Sequence, residues 1–479
     1  MVEDRALNKS KIFVVLKDII RIMCSNIVSL MSGVALGFLL PKLLSVTDYG
    51  YYKTFNLYVA YIGIFTFGIT DGIVLLFGGK DYDNLNKKFF RSVFKIFLFI
   101  EICCSCIIAC LGFAFTDLSL QFIFIALGIN LLAQNIVNYF QQISQITQRF
   151  KEYSNRNFII SILNISSVIF LYILKMANVF YDYRIYICLV LLIQYILMIW
   201  YIYTYRSIVF GKCLTIISTL KSVKYFVWIG FPLLVANLCS TLMLTIDRQF
   251  VNVFFDTDTY AVYAFAYNML SLVTVATSAI SVVLYPLMKR TSNEKLTSNY
   301  NIFIMIMLIF TNFAIASYFP LCSFINWFLP EYSASLFIFR IIFPGLTIST
   351  TITVVMHNYY KTMNANNLFF KKSIIVLGVS VLANLIAFYV YGTTSAISIA
   401  SIITMLFWYI YVEDFFKSRL KIDTKRNFVY MLLMIALFYI ITIIKTMWIG
   451  FLLYILAYSL FTLLFYFKDI KKIKRMIRN

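Results

Sequence analysis

About fourteen stretches of this 479-residue chain are apolar over the thickness of a bilayer, and that repetition limits the fold more than any motif does. Crossing the hydrocarbon core takes about 20 mostly apolar residues in helical form. A helix of that length also pairs its own peptide groups, each of which costs several kcal/mol when unsatisfied in lipid. The runs follow one another so closely that no soluble domain of useful size fits between them. The expected fold class is therefore an all-α polytopic membrane protein with about 14 transmembrane helices. Only 13% of the residues are charged and mean hydropathy is +0.87, against roughly 25% charged in soluble chains.

A formal net charge of +21 would suit a nucleic-acid partner, but the placement of the basic residues excludes that reading. Sorted by alternate loops, all 41 Lys and Arg except Lys42, Lys53, Lys175, Arg184, Arg248, Arg340 and Lys445 fall on the side that carries the N-terminus. By the positive-inside rule that side is cytoplasmic, both termini lie there, and the helix number is even. The expected organisation is a basic N-terminus over residues 1–18, a first lobe of six helices over 19–206 and a cytoplasmic inter-lobe loop over 207–224. A second lobe of six follows over 225–417, then two peripheral helices over 418–467 and a basic tail over 468–479. Asp48-Tyr49-Gly50-Tyr51-Tyr52 and Thr259-Tyr260-Ala261-Val262-Tyr263 hold corresponding places after the first helix of each lobe. An offset of six helices makes these parallel repeats about the membrane normal.

Polar residues inside the runs mark the faces turned away from lipid. Asn237, Thr241, Thr245, Arg248 and Asn252 recur at helical steps of three and four, which stacks them on one face of the seventh helix. Tyr263, Tyr267, Ser271, Thr274, Ser278, Ser281 and Tyr285 draw a second stripe down the eighth. The fourth helix carries Asn130, Gln134, Asn138, Gln141, Gln145 and Gln148, with Asn135 and Gln142 alongside. Amides donate and accept without charge, so this face suits sugar hydroxyls and is expected to line a central cavity. Ser25, Ser29, Gly33 and Gly37 form a small-residue stripe expected to serve helix packing. Pro232 and the Pro344-Gly345 pair are expected kinks.

Three cations and two acids lie within the runs. Lys53, Arg248 and Arg340 map to the outer thirds of their helices, where Arg forks match phosphate oxygens. Asp71 and Glu101 are candidate sites for a coupling H+ or Na+, since an ion at membrane depth costs at least about 2.5 kcal/mol when it faces lipid. No Walker-type phosphate loop is present. The single histidine, His357, is expected at a helix interface, and no catalytic residue, cofactor or metal is expected. The nine cysteines lie mostly in apolar runs; Cys103, Cys106 and Cys110 share a helix face and are expected to be buried and structural.

The chain resembles the Wzx-type polysaccharide flippases of the multidrug/oligosaccharidyl-lipid/polysaccharide exporter superfamily. Pro41-Lys42-Leu43-Leu44-Ser45 with Asp48-Tyr49-Gly50, Gly68-Ile69-Thr70-Asp71-Gly72, Gly230-Phe231-Pro232 with Asp247-Arg248, and Tyr285-Pro286 carry the resemblance over essentially the whole chain. It implies two six-helix lobes around a cavity, alternating access, and export of undecaprenyl-pyrophosphate-linked repeat units across a bacterial inner membrane for O-antigen or capsule assembly. Polysaccharide polymerase machinery is an implied partner. Many such flippases have twelve helices, whereas fourteen is the count in related lipid II flippases. A cation-coupled drug antiporter of the same superfamily and a membrane-embedded transferase acting on the same lipid are the alternative readings.

Overall fold

The computed structural model describes residues 24–25, 27–271, 288, 293–363, 365–444 and 446–478. Among them there is no strand. Nine helices are long and apolar enough to cross a membrane, and eleven spans result when each of two bent pairs counts as one. With the shorter α1 (Ile27–Leu43), the 17-residue α17 (Lys425–Ile441) and a helix over 257–271, α10, every one of the expected apolar runs contains a helix. The chain is a multi-pass membrane protein. Large side chains such as Phe99, Leu192, Trp228 and Leu464 stay exposed on helix faces, as a lipid solvent permits.

The chain divides into two compact units, Met1–Thr241 and Leu242–Asn479. The first contains α2 (Val46–Val59), α3 (Ile69–Phe77), α4 (Lys87–Gly112), α5 (Leu118–Ile146), α6 (Phe150–Met176), α7 (Tyr183–Thr204) and the single turn α8 (Arg206–Val209). Helix α5 is its hub and packs against α2, α3, α4, α6 and α7. Phe94, Phe97, Tyr139, Phe140, Tyr201 and Tyr205 fill one end of the unit, and Phe55, Ile62, Ile123, Leu127 and Ile187 fill the other. The second helix of the sequence reading is not continuous. It breaks at Phe67 and Gly68, both left-handed at φ 50° and 80°, and bends by 60°.

The break follows from a close approach of two backbones. Helix α9 (Ile216–Phe254) passes so near α3 that a Cβ on Gly68 would lie 2.5 Å from the Phe231 nitrogen, and one on Gly230 would overlap the Gly68 carbonyl. Residues 207–224, expected as a plain loop, are largely helical: α8 and the first turns of α9 occupy most of them. Helix α9 is 39 residues long, runs through Pro232 without ending, and crosses from the first unit into the second.

The second unit holds α11 (Asn293–Ile315), α12 (Tyr318–Phe328), α13 (Ser335–Ile342), α14 (Gly345–Thr362), α15 (Asn366–Tyr391), α16 (Thr394–Ser418), α17 and α18 (Met447–Arg478). The ninth run, expected at about 302–319, is one limb of the longer α11–α12 pair, Glu294–Phe328. The expected kink at Pro344-Gly345 is present as a 44° bend between α13 and α14, and a π turn over Thr351–Met356 follows it. Tyrosine hydroxyls knit α18 to its neighbours: Tyr454 donates to the Asn312 carbonyl at 3.0 Å, Tyr458 to the Ile309 carbonyl at 3.0 Å, and Tyr466 to Asn427 Oδ1 at 2.8 Å. Such bonds hold helices where apolar burial gives no net drive.

Two expectations about packing are corrected. Cys103, Cys106 and Cys110 are exposed, on the outer face of α4, because Phe90, Val93, Phe94, Phe97 and Glu101 on the opposite face make the core contacts. The small-residue stripe is split: Ser25 and Gly37 are buried, Ser29 and Gly33 are exposed, and Ser32, off the stripe, donates to the Ser161 carbonyl at 3.1 Å.

Candidate functional site

In the second unit the polar side chains converge on Asp247. The turn after α9 is short because Asp256 caps α10: its carboxylate accepts from the Thr259 amide at 2.9 Å and from the Thr259 hydroxyl at 2.7 Å. These bonds, the amide first, hold the Asp256 carboxyl below its ordinary pKa. The tight turn lays α10 back along α9, and Tyr263 and Tyr267, one helical turn apart, meet Asp247. Both hydroxyls donate to Asp247 Oδ2, that of Tyr263 at 2.9 Å. Ser398 on α16 donates in turn to the Tyr263 oxygen at 3.4 Å. Asp247 is only 3% exposed, so these donors, and not water, satisfy its carboxyl oxygens.

Arg248 follows directly on that carboxylate. Its guanidinium carbon stands 4.6 Å from the Tyr267 ring centre, and Nη2 donates to the Leu244 carbonyl at 2.6 Å. Its buried Nε has no hydrogen-bond partner among the described residues. A tyrosine thus serves twice, with its hydroxyl on Asp247 and its ring under Arg248. The result is a half-buried cation held in one direction by its own neighbours. Thr245, one turn earlier, is buried. Asn237 is exposed and accepts through its carbonyl from Thr241 at 3.1 Å; both belong to the first unit. Arg340 has a separate neighbourhood, within electrostatic reach of Tyr318 and Tyr439.

In the first unit the focus is Glu101, which is fully buried. Asn135 Nδ2 donates to Glu101 Oε2 at 2.8 Å and lies 3.4 Å from the Ile62 carbonyl. Glu101 Oε1 and Asn135 Oδ1 are buried without partners among the described residues, an arrangement with acceptor capacity to spare. The amide stripe beside this pair is graded. Asn130 is buried and donates to Gln134 at 2.8 Å, Gln134, Asn138 and Gln141 are half-buried, and Gln145 is exposed. Gln148 lies beyond the end of α5 with φ 56°. Asp71 is half-buried in the first turn of α3, where the helix dipole favours an anion. Lys53 lies over the Tyr49 and Tyr52 rings at 5.1 and 5.9 Å.

Sequence reasoning passed over Ser398 altogether, and it named Asp247 only in its motif with Arg248 and Asn135 only beside the amide stripe, without the partners that the structure gives them. Asp247 had a visible signal, an acid next to an arginine inside an apolar run. What the stripe pattern hides is that its partners lie 16 and 20 residues further on, across a turn. The stripe residues Thr274, Ser278, Ser281 and Tyr285 lie outside the described residues.

No family model matches the sequence, and no curated protein is significantly similar to it. Solved structures do share its shape. The lipid II flippase MurJ, in an inward closed conformation, matches with a TM-score of 0.72 at 16% identity, covering 95% of this chain and 100% of that one. An inward-facing multidrug resistance MATE transporter of the MOP superfamily gives 0.58 at 12% identity, covering 83% and 96%. A MOP superfamily transporter from Pyrococcus furiosus gives 0.54 at 13% identity, covering 85% and 97%. At these identities the likeness is one of fold, and the chain has the all-helical polytopic fold that these membrane transporters share.

Proposed function

We propose that this protein is a flippase that carries undecaprenyl-pyrophosphate-linked oligosaccharide repeat units from the cytoplasmic to the outer leaflet of a bacterial inner membrane by alternating access, for O-antigen or capsule assembly. The observation that carries the reading is the end-to-end fold match to a protein described as a lipid II flippase, fuller than the match to the drug transporters. The side chains supply a chemistry for each part of such a substrate. Arg248, oriented by Tyr267 and Leu244, takes the pyrophosphate, with Arg340 and Lys53 as further outer cations. Gln134, Asn138, Gln141 and Gln145, with Asn237, Thr241 and Thr245, offer donors and acceptors to sugar hydroxyls. Asp71 and Glu101 carry the coupling H+ or Na+, and polysaccharide polymerase machinery receives the product.

The buried carboxylates Glu101 and Asp247 favour one second reading, a cation-coupled multidrug antiporter of the same fold. Ligand-induced thermal stabilisation of the purified protein separates the two. An undecaprenyl-pyrophosphate oligosaccharide is expected to raise the melting temperature, and a lipophilic cationic drug is expected to leave it unchanged. The opposite pattern selects the antiporter.

A further inference from the structure

We propose that a groove in the first unit, between the N-terminal half of α4 and the start of α9, is a binding site for an anionic phospholipid of the surrounding leaflet. The cavity measures about 410 Å³, within the range of roughly 300–1,000 Å³ typical of ligand pockets. Its lining is apolar and exposed: Phe99, Leu214, Ile216 and Leu220 contribute to it, and Lys95 is its one charged residue.

The groove is built by specific bonds. Arg91 Nε donates to the Ser207 carbonyl at 2.8 Å and Nη1 to the Lys212 carbonyl at 3.3 Å. The Leu214 amide donates to Ser92 Oγ at 2.7 Å. These bonds tie the connection before α9 to α4 and leave one wall of acyl-compatible side chains. An acyl chain lies against that wall, and Lys95 takes the phosphate.

Charge and polarity identify the occupant. Lys88, Arg91, Lys212, Lys221 and Lys224 are close in sequence to the lining residues, and the chain has no Asp or Glu between residues 183 and 246. Cations of this kind attract the headgroups of an anionic leaflet. The two hydroxyls in the lining are already engaged: Ser92 donates to the Lys88 carbonyl at 3.0 Å and Thr219 to the Thr215 carbonyl at 2.9 Å. Neither hydroxyl has a donor left for a sugar, which distinguishes this groove from the amide-lined face proposed for the transport substrate. The inference goes beyond the flippase reading and does not rest on it.

The test uses the full chain in detergent with phosphatidylglycerol carrying a photoreactive group in its acyl chain. Adducts mapped by mass spectrometry are expected on residues 92–99 and 213–220. Lys95→Glu and Leu220→Trp, both at exposed positions, are each expected to reduce them about fivefold, and phosphatidylcholine is expected to label weakly. Three results overturn the proposal: labelling unaffected by both variants, equal labelling by phosphatidylcholine, or displacement of the label by an undecaprenyl-pyrophosphate oligosaccharide, which assigns the groove to the substrate. The readout needs no transport, so a failed flipping assay and a failed labelling assay remain distinct outcomes.

Discussion

Asp247 shows how one buried acid organises several neighbours. A carboxylate 3% exposed is tolerable only while donors surround it, and two of those donors sit on a helix that the Asp256 cap folds back into place. Tyr267→Phe keeps the ring beneath Arg248 but removes one donor. It is expected to destabilise the protein by about 1–3 kcal/mol, whereas the same change at exposed Tyr389 should be nearly silent; urea or thermal unfolding in detergent reads the difference. Asp256 gives a pH-dependent counterpart. Its folded pKa is depressed, so its stabilisation is complete above the ordinary carboxylate value of about 3.9 and is lost as pH falls through the lowered folded value. Asp256→Ala should cost about 0.5–1 kcal/mol at pH 7, the low end for a solvent-screened cap. That gap should close in acid, and a gap independent of pH would contradict the cap. At this scale the sequence was half legible. Spacing exposed the stripe that contains Arg248, but neither the acid beside it nor the Glu101–Asn135 pair follows a single-helix period, since each is completed by another helix.

Among the elements, the crossing of α3 and α9 is the tightest feature of the first unit. Gly68, Gly72 and Gly230 are there because backbone meets backbone, and Gly68 also supplies the left-handed turn at which the second span bends. Hydropathy reads Tyr52–Phe77 as one run, since a bend of 60° changes neither length nor polarity; only the paired glycines hinted at it. Gly230→Ala is expected to cost about 1–3 kcal/mol through overpacking, whereas Gly33→Ala, with open space around its Cβ position, should be neutral. Equal melting temperatures for the two variants would remove the close crossing as a stabilising constraint. The π turn in α14 was equally invisible, because its sequence, Thr351–Met356, is ordinary for an apolar helix.

For the molecule as a whole, apolar length alone delivered the fold class. What periodicity could not deliver was the division of the chain, which falls within α9 at Thr241 and Leu242 and not at the expected loop. The proposed ion coupling belongs to this scale as well. Replacing both Asp71 and Glu101 with amides should abolish the dependence of transport on an ion gradient, and unchanged gradient dependence would end their role.

The most direct test of the flippase reading is reconstitution in vesicles that contain an undecaprenyl-pyrophosphate oligosaccharide with a fluorescent sugar, with a membrane-impermeant glycosidase reporting the sugar newly exposed on the opposite face. Vesicles with the wild-type chain should expose it far faster than protein-free vesicles. Arg248→Ala should slow that exposure roughly 10- to 100-fold, the worth of one charged hydrogen bond to phosphate, at equal protein content. Wild-type exposure no faster than in protein-free vesicles would contradict the account.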